Sequence, residues 1–295
     1  MLNDLKSKSP QWMKDAANHT TRGWGYITAG DRPLPDYLII GCKRGGTTSL
    51  FNYLVGHPGV LNMFPQVRGT KSTDYFFKSV NRSERWYRSH FPSERYRRRL
   101  ARHLGYRAIA GEASPYYIWD PRVAPRVRKV APEVRSILLL RDPVKRAWSH
   151  YQERRENRVE PLTFAQAIQA EDARLEGELD RMLADPGYYS ASHDFYSYRQ
   201  RGVYAPQIYN WLEHFPREQL LVLYAEDLYR DTSATFDTVC DFLEVPRIKM
   251  ATEKGYNSMP GSKDAPPQEV VDELRDFYKP LQAEVEELVG KRAPW

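Results

Sequence analysis

The chain has 295 residues, a formal net charge of +6, 41% hydrophobic residues and two cysteines. That length and apolar content supply the core of one large domain, while so few cysteines exclude a disulfide framework. No apolar run is long enough to span a bilayer and no cleavable leader opens the chain, so we expect a cytoplasmic protein without a stable membrane anchor.

Residues 1–34 are polar, with Trp12 and Trp24, and read as an N-terminal extension to a single domain over 35–295. The first strong element is an apolar strand at 37–41, Tyr37-Leu38-Ile39-Ile40-Gly41. It runs through Cys42-Lys43-Arg44-Gly45-Gly46-Thr47-Thr48-Ser49 into a helix expected at 47–56. A strand, a glycine- and hydroxyl-rich loop and a helix start build an anion cradle, because helix N-terminal N–H groups and the helix dipole both favour negative charge. A Walker loop needs Gly-x-x-x-x-Gly-Lys-[Ser/Thr]. Gly41 and Gly46 have that separation, but Thr47 stands where the lysine belongs. The loop therefore suits a 5′-phosphate and lacks the lysine that serves the β/γ-phosphates of a nucleoside triphosphate. Cys42 reads as a small apolar filler.

Helices follow at 82–89 and 93–103, then a strand at 107–110. A continuous apolar run, Ile137-Leu138-Leu139-Leu140, marks a buried parallel strand at 136–140. Arg141 ends it, and Ser149 lies on the helix expected at 144–156, so both can converge on a second phosphate. Ligands of open α/β sheets bind at the carboxyl ends of strands. Further helices are expected at 163–183, 204–215, 232–244 and 267–289, with a strand at 219–224. Phe236, Val239, Cys240 and Leu243 fall at helical spacing and read as core. The alternation predicts an α/β fold, a central parallel sheet flanked by helices. No compact His/Cys cluster has metal-ligand spacing, so no metal is expected.

Taken together, GCKRGGTTSL and LLLRDPVKRAWSHY resemble the 5′-phosphosulfate loop and the 3′-phosphate segment of sulfotransferases that use 3′-phosphoadenosine-5′-phosphosulfate (PAPS). The likeness is to bacterial members similar to the heparan-sulfate, carbohydrate type. It extends through His57-Pro58, Lys71-Ser72-Thr73-Asp74-Tyr75-Phe76-Phe77, Gly111–Tyr117, Gly202-Val203-Tyr204 and the closing Trp295. It implies the P-loop-like sulfotransferase fold, sulfuryl transfer to a hydroxyl of a glycan, glycolipid or small metabolite, and release of PAP, with no metal and no nucleic-acid partner. The implied donor contacts are Lys43, Arg44, Gly45, Gly46, Thr47, Thr48, Ser49, Arg141, Ser149 and Tyr204, with Lys254-Gly255-Tyr256 closing over the 3′-phosphate and Lys263 a rival for that role.

The departures concern catalysis. The family's loop lysine is Arg44 here, with Lys43 just before it, and both are candidates to stabilise the leaving phosphate. The catalytic glutamate of heparan-type relatives is Ser72, so the base is sought first in Asp74 and second in Glu153, which aligns with a second family base. The family's turn lysine is Ala113. Two basic patches, Arg95 to Arg102 with His103, and Arg122, Arg126, Arg128 and Lys129, are either solvated faces or steer anionic ligands. The aromatics Tyr188, Tyr189, His193, Phe195, Tyr196 and Tyr198 suit either an acceptor ring or ordinary packing. A P-loop kinase using ATP and a non-catalytic polyanion-binding module on the same fold stand as alternatives.

Overall fold

The structure is a computed structural model that describes residues 11–64, 69–249 and 264–295. Its centre is a sheet of β1 (Tyr37–Gly41), β2 (Val60–Leu61), β3 (Ile109–Ala113), β4 (Arg135–Leu140) and β5 (Leu220–Tyr224). The order is β2-β3-β1-β4-β5, and every pairing is parallel. This is the expected parallel α/β architecture. The chain reverses direction across the sheet at β1, which lies between β3 and β4, and the carboxyl ends there form the switch-point crevice.

Strand alternation explains the two-sided core. Leu38, Ile40, Leu138 and Leu140 face one apolar layer with Tyr117, Ile208 and Trp211. Tyr37, Ile39, Ile137 and Leu139 face the other, with Phe51, Leu54, Phe236 and Cys240. Phe236, Val239, Cys240 and Leu243 are core, as their spacing implied.

Several elements depart from expectation for identifiable reasons. The strand anticipated at 107–110 lies at Ile109–Ala113, because the Glu112 carboxylate is fully satisfied inside the core. The helix anticipated at 163–183 is three pieces, Phe164–Gln169, Glu171–Leu175 and Glu178–Ala184, the last starting at Gly177 with φ 68°. The long C-terminal helix divides into Gln268–Tyr278 and Gln282–Val289 around a 3-10 turn containing Pro280, whose ring cannot continue an α-helix. Helices Val123–Val130 and Ala225–Arg230 and the short β2 were not anticipated.

Residues Gln11–Ile27 form a helix whose later part packs against the segment 84–91. Arg22 donates to the Ser89 carbonyl, Arg85 donates to the Tyr26 carbonyl at 3.0 Å, and Arg32 lies 4.3 Å from the Phe64 ring. The second basic patch is not a plain solvated face. Arg122 is buried, pairs with Asp120 at 2.8 Å and donates to the carbonyls of Met182, Asp185 and Tyr188.

Candidate active site

The loop after β1 is shaped by two glycines. A Cβ on Gly45 would stand 2.7 Å from the Cys42 sulfur and 2.8 Å from the Leu139 carbonyl. Gly46 has φ 89° and is the N-cap of helix Thr47–Val55, and a Cβ there would meet the Tyr229 hydroxyl at 2.6 Å. Gly45 is required by space alone, and Gly46 by space and by its left-handed backbone together. The helix therefore starts close against the strand ends, with its first N–H groups directed into the crevice. Buried Cys42 contacts the Tyr204 hydroxyl at 3.8 Å and fills space, as expected.

The loop after β1 and the segment after β4 meet. Arg44 Nε donates to Ser149 Oγ at 2.9 Å, and Arg141 Nη1 donates to the Arg44 carbonyl at 2.8 Å. Ser149 reaches this point from helix Pro143–Glu156, which Asp142 caps by accepting from Val144 N at 2.9 Å. Lys43, Arg44, Gly46, Thr47, Thr48, Arg141 and Ser149 all line one cleft of about 1140 Å³. Tyr204 and Ser49 sit differently from their implied role as donor contacts. The Tyr204 hydroxyl donates to the Arg141 carbonyl at 2.7 Å, so it braces the strand end from behind. Ser49 is fully buried, and its N–H is taken by the Gly46 carbonyl at 3.0 Å. Lys254, Gly255, Tyr256 and Lys263 lie outside the described residues.

The sequence reading missed one cation of this cleft. Lys71 Nζ donates to Thr48 Oγ1 at 2.7 Å and to Thr47 Oγ1 at 3.2 Å. It thus supplies from a distant segment the ammonium that a Walker loop carries in its own sequence. The available signal was its place at the head of the KSTDYFF segment. Burial, aided by Arg44, lowers Lys71 to about 8, against the pull of Asp74 and Glu153. The segment is held along β3: Ala113 N donates to the Lys71 carbonyl at 2.7 Å, and Glu112 accepts from Thr73 N at 2.6 Å and Thr73 Oγ1 at 2.8 Å.

The candidate bases differ in surroundings. Asp74 has φ 53°, and its Oδ1 accepts from Ser72 at 2.6 Å and, at 3.4 Å, from Ser114. It is not among the residues lining the cleft. Glu153 does line the cleft. Its Oε1 accepts from Arg154 at 3.0 Å, while its buried Oε2 makes no hydrogen bond and lies 3.9 Å from Lys43 Nζ. The aromatics after Pro186-Gly187 are largely engaged within the protein. Tyr189 donates to Asp194 at 2.6 Å, Tyr198 donates to Glu160 at 2.9 Å, and His193 stacks on Trp119.

A parallel α/β sheet with a glycine-rich loop at its switch point and paired cations around a cleft defines an α/β protein of phosphate-loop architecture, built to take an anionic ligand there. The family model for the sulfotransferase domain matches residues 34–264, so the chain belongs to the sulfotransferase family. It is 28% identical to heparan sulfate glucosamine 3-O-sulfotransferase 3B1 of Mus musculus, over 90% of this chain and 66% of the relative. It is 27% identical to heparan sulfate glucosamine 3-O-sulfotransferase 3A1 of Homo sapiens, over 91% of this chain and 64% of that protein. The chain thus spans just under two thirds of the length of these curated relatives. A solved sulfotransferase from Alicyclobacillus acidocaldarius superposes with a TM-score of 0.63 at 26% identity, covering 88% of this chain and 98% of that one. The fold is therefore the P-loop-like sulfotransferase fold. Among the described residues no helix is long and apolar enough to cross a membrane, and no group of three metal-ligating side chains occurs.

Proposed function

We propose that the protein transfers a sulfuryl group from PAPS to a hydroxyl of a glycan, glycolipid or small metabolite, giving a sulfate ester and PAP. The observation that carries this reading is the Arg141–Arg44–Ser149 chain of hydrogen bonds, which joins the two phosphate segments in one cleft. The fit is chemical as well as spatial: cations and hydroxyls from both segments line one cleft of a volume that suits a nucleotide. When bound, PAPS supplies an already activated sulfate anhydride.

The chain's own residues do the rest. The loop N–H groups, Thr47, Thr48, Lys71 and Arg44 are poised where charge gathers on the departing 5′-phosphate, and preorganised donors of this kind lower barriers most. Arg141 and Ser149 fix register on the 3′-phosphate, which is not consumed. The acceptor proton passes to a carboxylate. Glu153 is favoured over Asp74 because its Oε2 has no internal hydrogen bond and its side chain lines the cleft. The similarity to proteins named as heparan sulfate 3-O-sulfotransferases supports a carbohydrate acceptor.

Thermal-shift and calorimetric titration with PAP test the reading. PAP stabilises the protein without Mg²⁺, and Arg44→Ala and Arg141→Ala each weaken it about tenfold or more through lost charge-assisted hydrogen bonds. Tight ATP binding that depends on Mg²⁺, with no response to PAP, would favour the kinase alternative and end this one.

A further inference from the structure

Along the wall of the cleft lies a largely buried charge cluster that the donor contacts do not require. Lys43 lines the cleft with its loop, yet its ammonium faces two carboxylates from other segments. Its Nζ lies 3.7 Å from Asp194 Oδ1 and 3.9 Å from Glu153 Oε2, and only 12% of its side chain is exposed. Asp194 comes from the short helix Ala191–Phe195, outside both phosphate segments. It is fixed from several directions: by Tyr189 Oη at 2.6 Å, Lys78 at 3.4 Å and the fully buried Arg201 at 3.8 Å. Arg201 is itself anchored on the His193 and Asp194 carbonyls at 3.0 and 3.2 Å.

We propose that Asp194 is a positioning residue: with Glu153 it draws the Lys43 ammonium away from the loop's anion cradle, so that Lys43 orients the Glu153 carboxylate instead of binding the donor. This rests on the sulfotransferase reading above and reassigns one residue within it. The reason is electrostatic. An ammonium buried this deeply is held where two carboxylates offset part of its lost hydration, and the phosphate loop itself offers none. Arg44 and Lys71 already furnish the loop's cations, so the donor site does not lack charge.

The groups facing Lys43 set its titration. Burial lowers it to about 7, Arg201 and Arg154 push the same way, and Asp194 and Glu153 oppose them. His150, fully buried on the neighbouring helix, is held neutral by burial and by the cations Lys43, Arg201, Arg146 and Arg154. Burial pushes the Asp194 carboxyl up, but Arg201, Lys43, Tyr189 and Lys78 together hold it at about 2, so it is ionised throughout the working range.

The proposal is tested without knowing the acceptor. In the free protein, the Lys43 ammonium is titrated by heteronuclear NMR of labelled lysine. Asp194→Asn removes an opposing carboxylate, so the Lys43 midpoint falls by about one unit. An unmoved midpoint overturns the proposal. In parallel, PAP affinity is measured for Lys43→Met, which leaves Asp194 paired with Arg201 and Lys78 should Asp194→Asn not fold. PAP affinity stays within about twofold for Lys43→Met, whereas Lys71→Met weakens it about tenfold. An equal loss in the two variants places Lys43 on the donor and overturns the proposal. If the parent protein binds no PAP, the donor reading falls, and the NMR titration still decides whether Asp194 governs Lys43.

Discussion

Lys71 shows how one side chain completes a site that its neighbours in sequence leave short. The loop has Thr47 in the Walker lysine position, and Lys71 Nζ sits on the Thr47 and Thr48 hydroxyls instead. Its charge is poised near the working pH, since burial lowers it from 10.5 to about 8. In the folded apo protein Lys71 therefore binds fewer protons than in the unfolded chain between about pH 8 and 10.5, and its contribution to stability rises across that window. A bound phosphate reverses the balance and favours the ammonium. PAP binding at pH 8 should then include an uptake of about half a proton by Lys71, a contribution that vanishes near pH 6 where Lys71 is already charged. Calorimetry in buffers of different ionisation enthalpy measures this directly. Lys71→Met should abolish the uptake, and heat that is independent of buffer at pH 8 would contradict the assignment.

At the scale of elements, the site depends on how β3 holds the segment carrying Lys71. Glu112 is fully buried and accepts from Thr73 N, Thr73 Oγ1, Tyr87 Oη at 2.8 Å and Tyr117 Oη at 2.9 Å. Burial raises this carboxyl, and those donors offset part of the rise. Removing the acceptor leaves several buried donors without a partner. Glu112→Ala should destabilise the fold by about 3 kcal/mol in denaturant unfolding, and ligand binding should suffer beyond that because Lys71 loses its support. A loss below about 0.5 kcal/mol would mean that water or a neighbour takes over those donors. The same element shows why the sequence boundary slipped. The expected strand stopped at 110, before Gly111 and the charged Glu112, whereas in the sheet Gly111 pairs with Tyr37 and Glu112 with Leu38.

Over the whole molecule, the charge distribution separates two kinds of basic surface. Arg97 and Arg107 both pair with Asp36, the residue just before β1. Helix Glu94–Leu104 therefore lies at the amino end of the strands, while the cleft lies at their carboxyl end. A five-residue strand is about 16 Å long, beyond the roughly 10 Å over which exposed charges act at ordinary ionic strength. Reversing Arg99 and Arg102 to Glu should change the PAP association rate, measured by stopped flow at moderate salt, by less than about twofold. A tenfold slowing would show that this face steers the donor after all.

Local order along the chain was enough for the parallel sheet and for the convergence of the glycine loop, Arg141 and Ser149 on one cleft. An apolar run can be buried on both faces only in a covered parallel sheet, and Gly45, Gly46, Arg44, Arg141 and Ser149 carry their chemistry next to strand ends that can be read directly. Tertiary structure alone decided which side chains turn toward the cleft. It brought Lys71 to the loop and turned Lys43 toward Glu153 and Asp194. It also set Tyr204 behind Arg141. The physical reason is the same in each case. Where a charged or polar group points is fixed by which distant partners share its burial, and residues such as Lys43 and Asp194, far apart in the chain, carry no sign in sequence that they will meet.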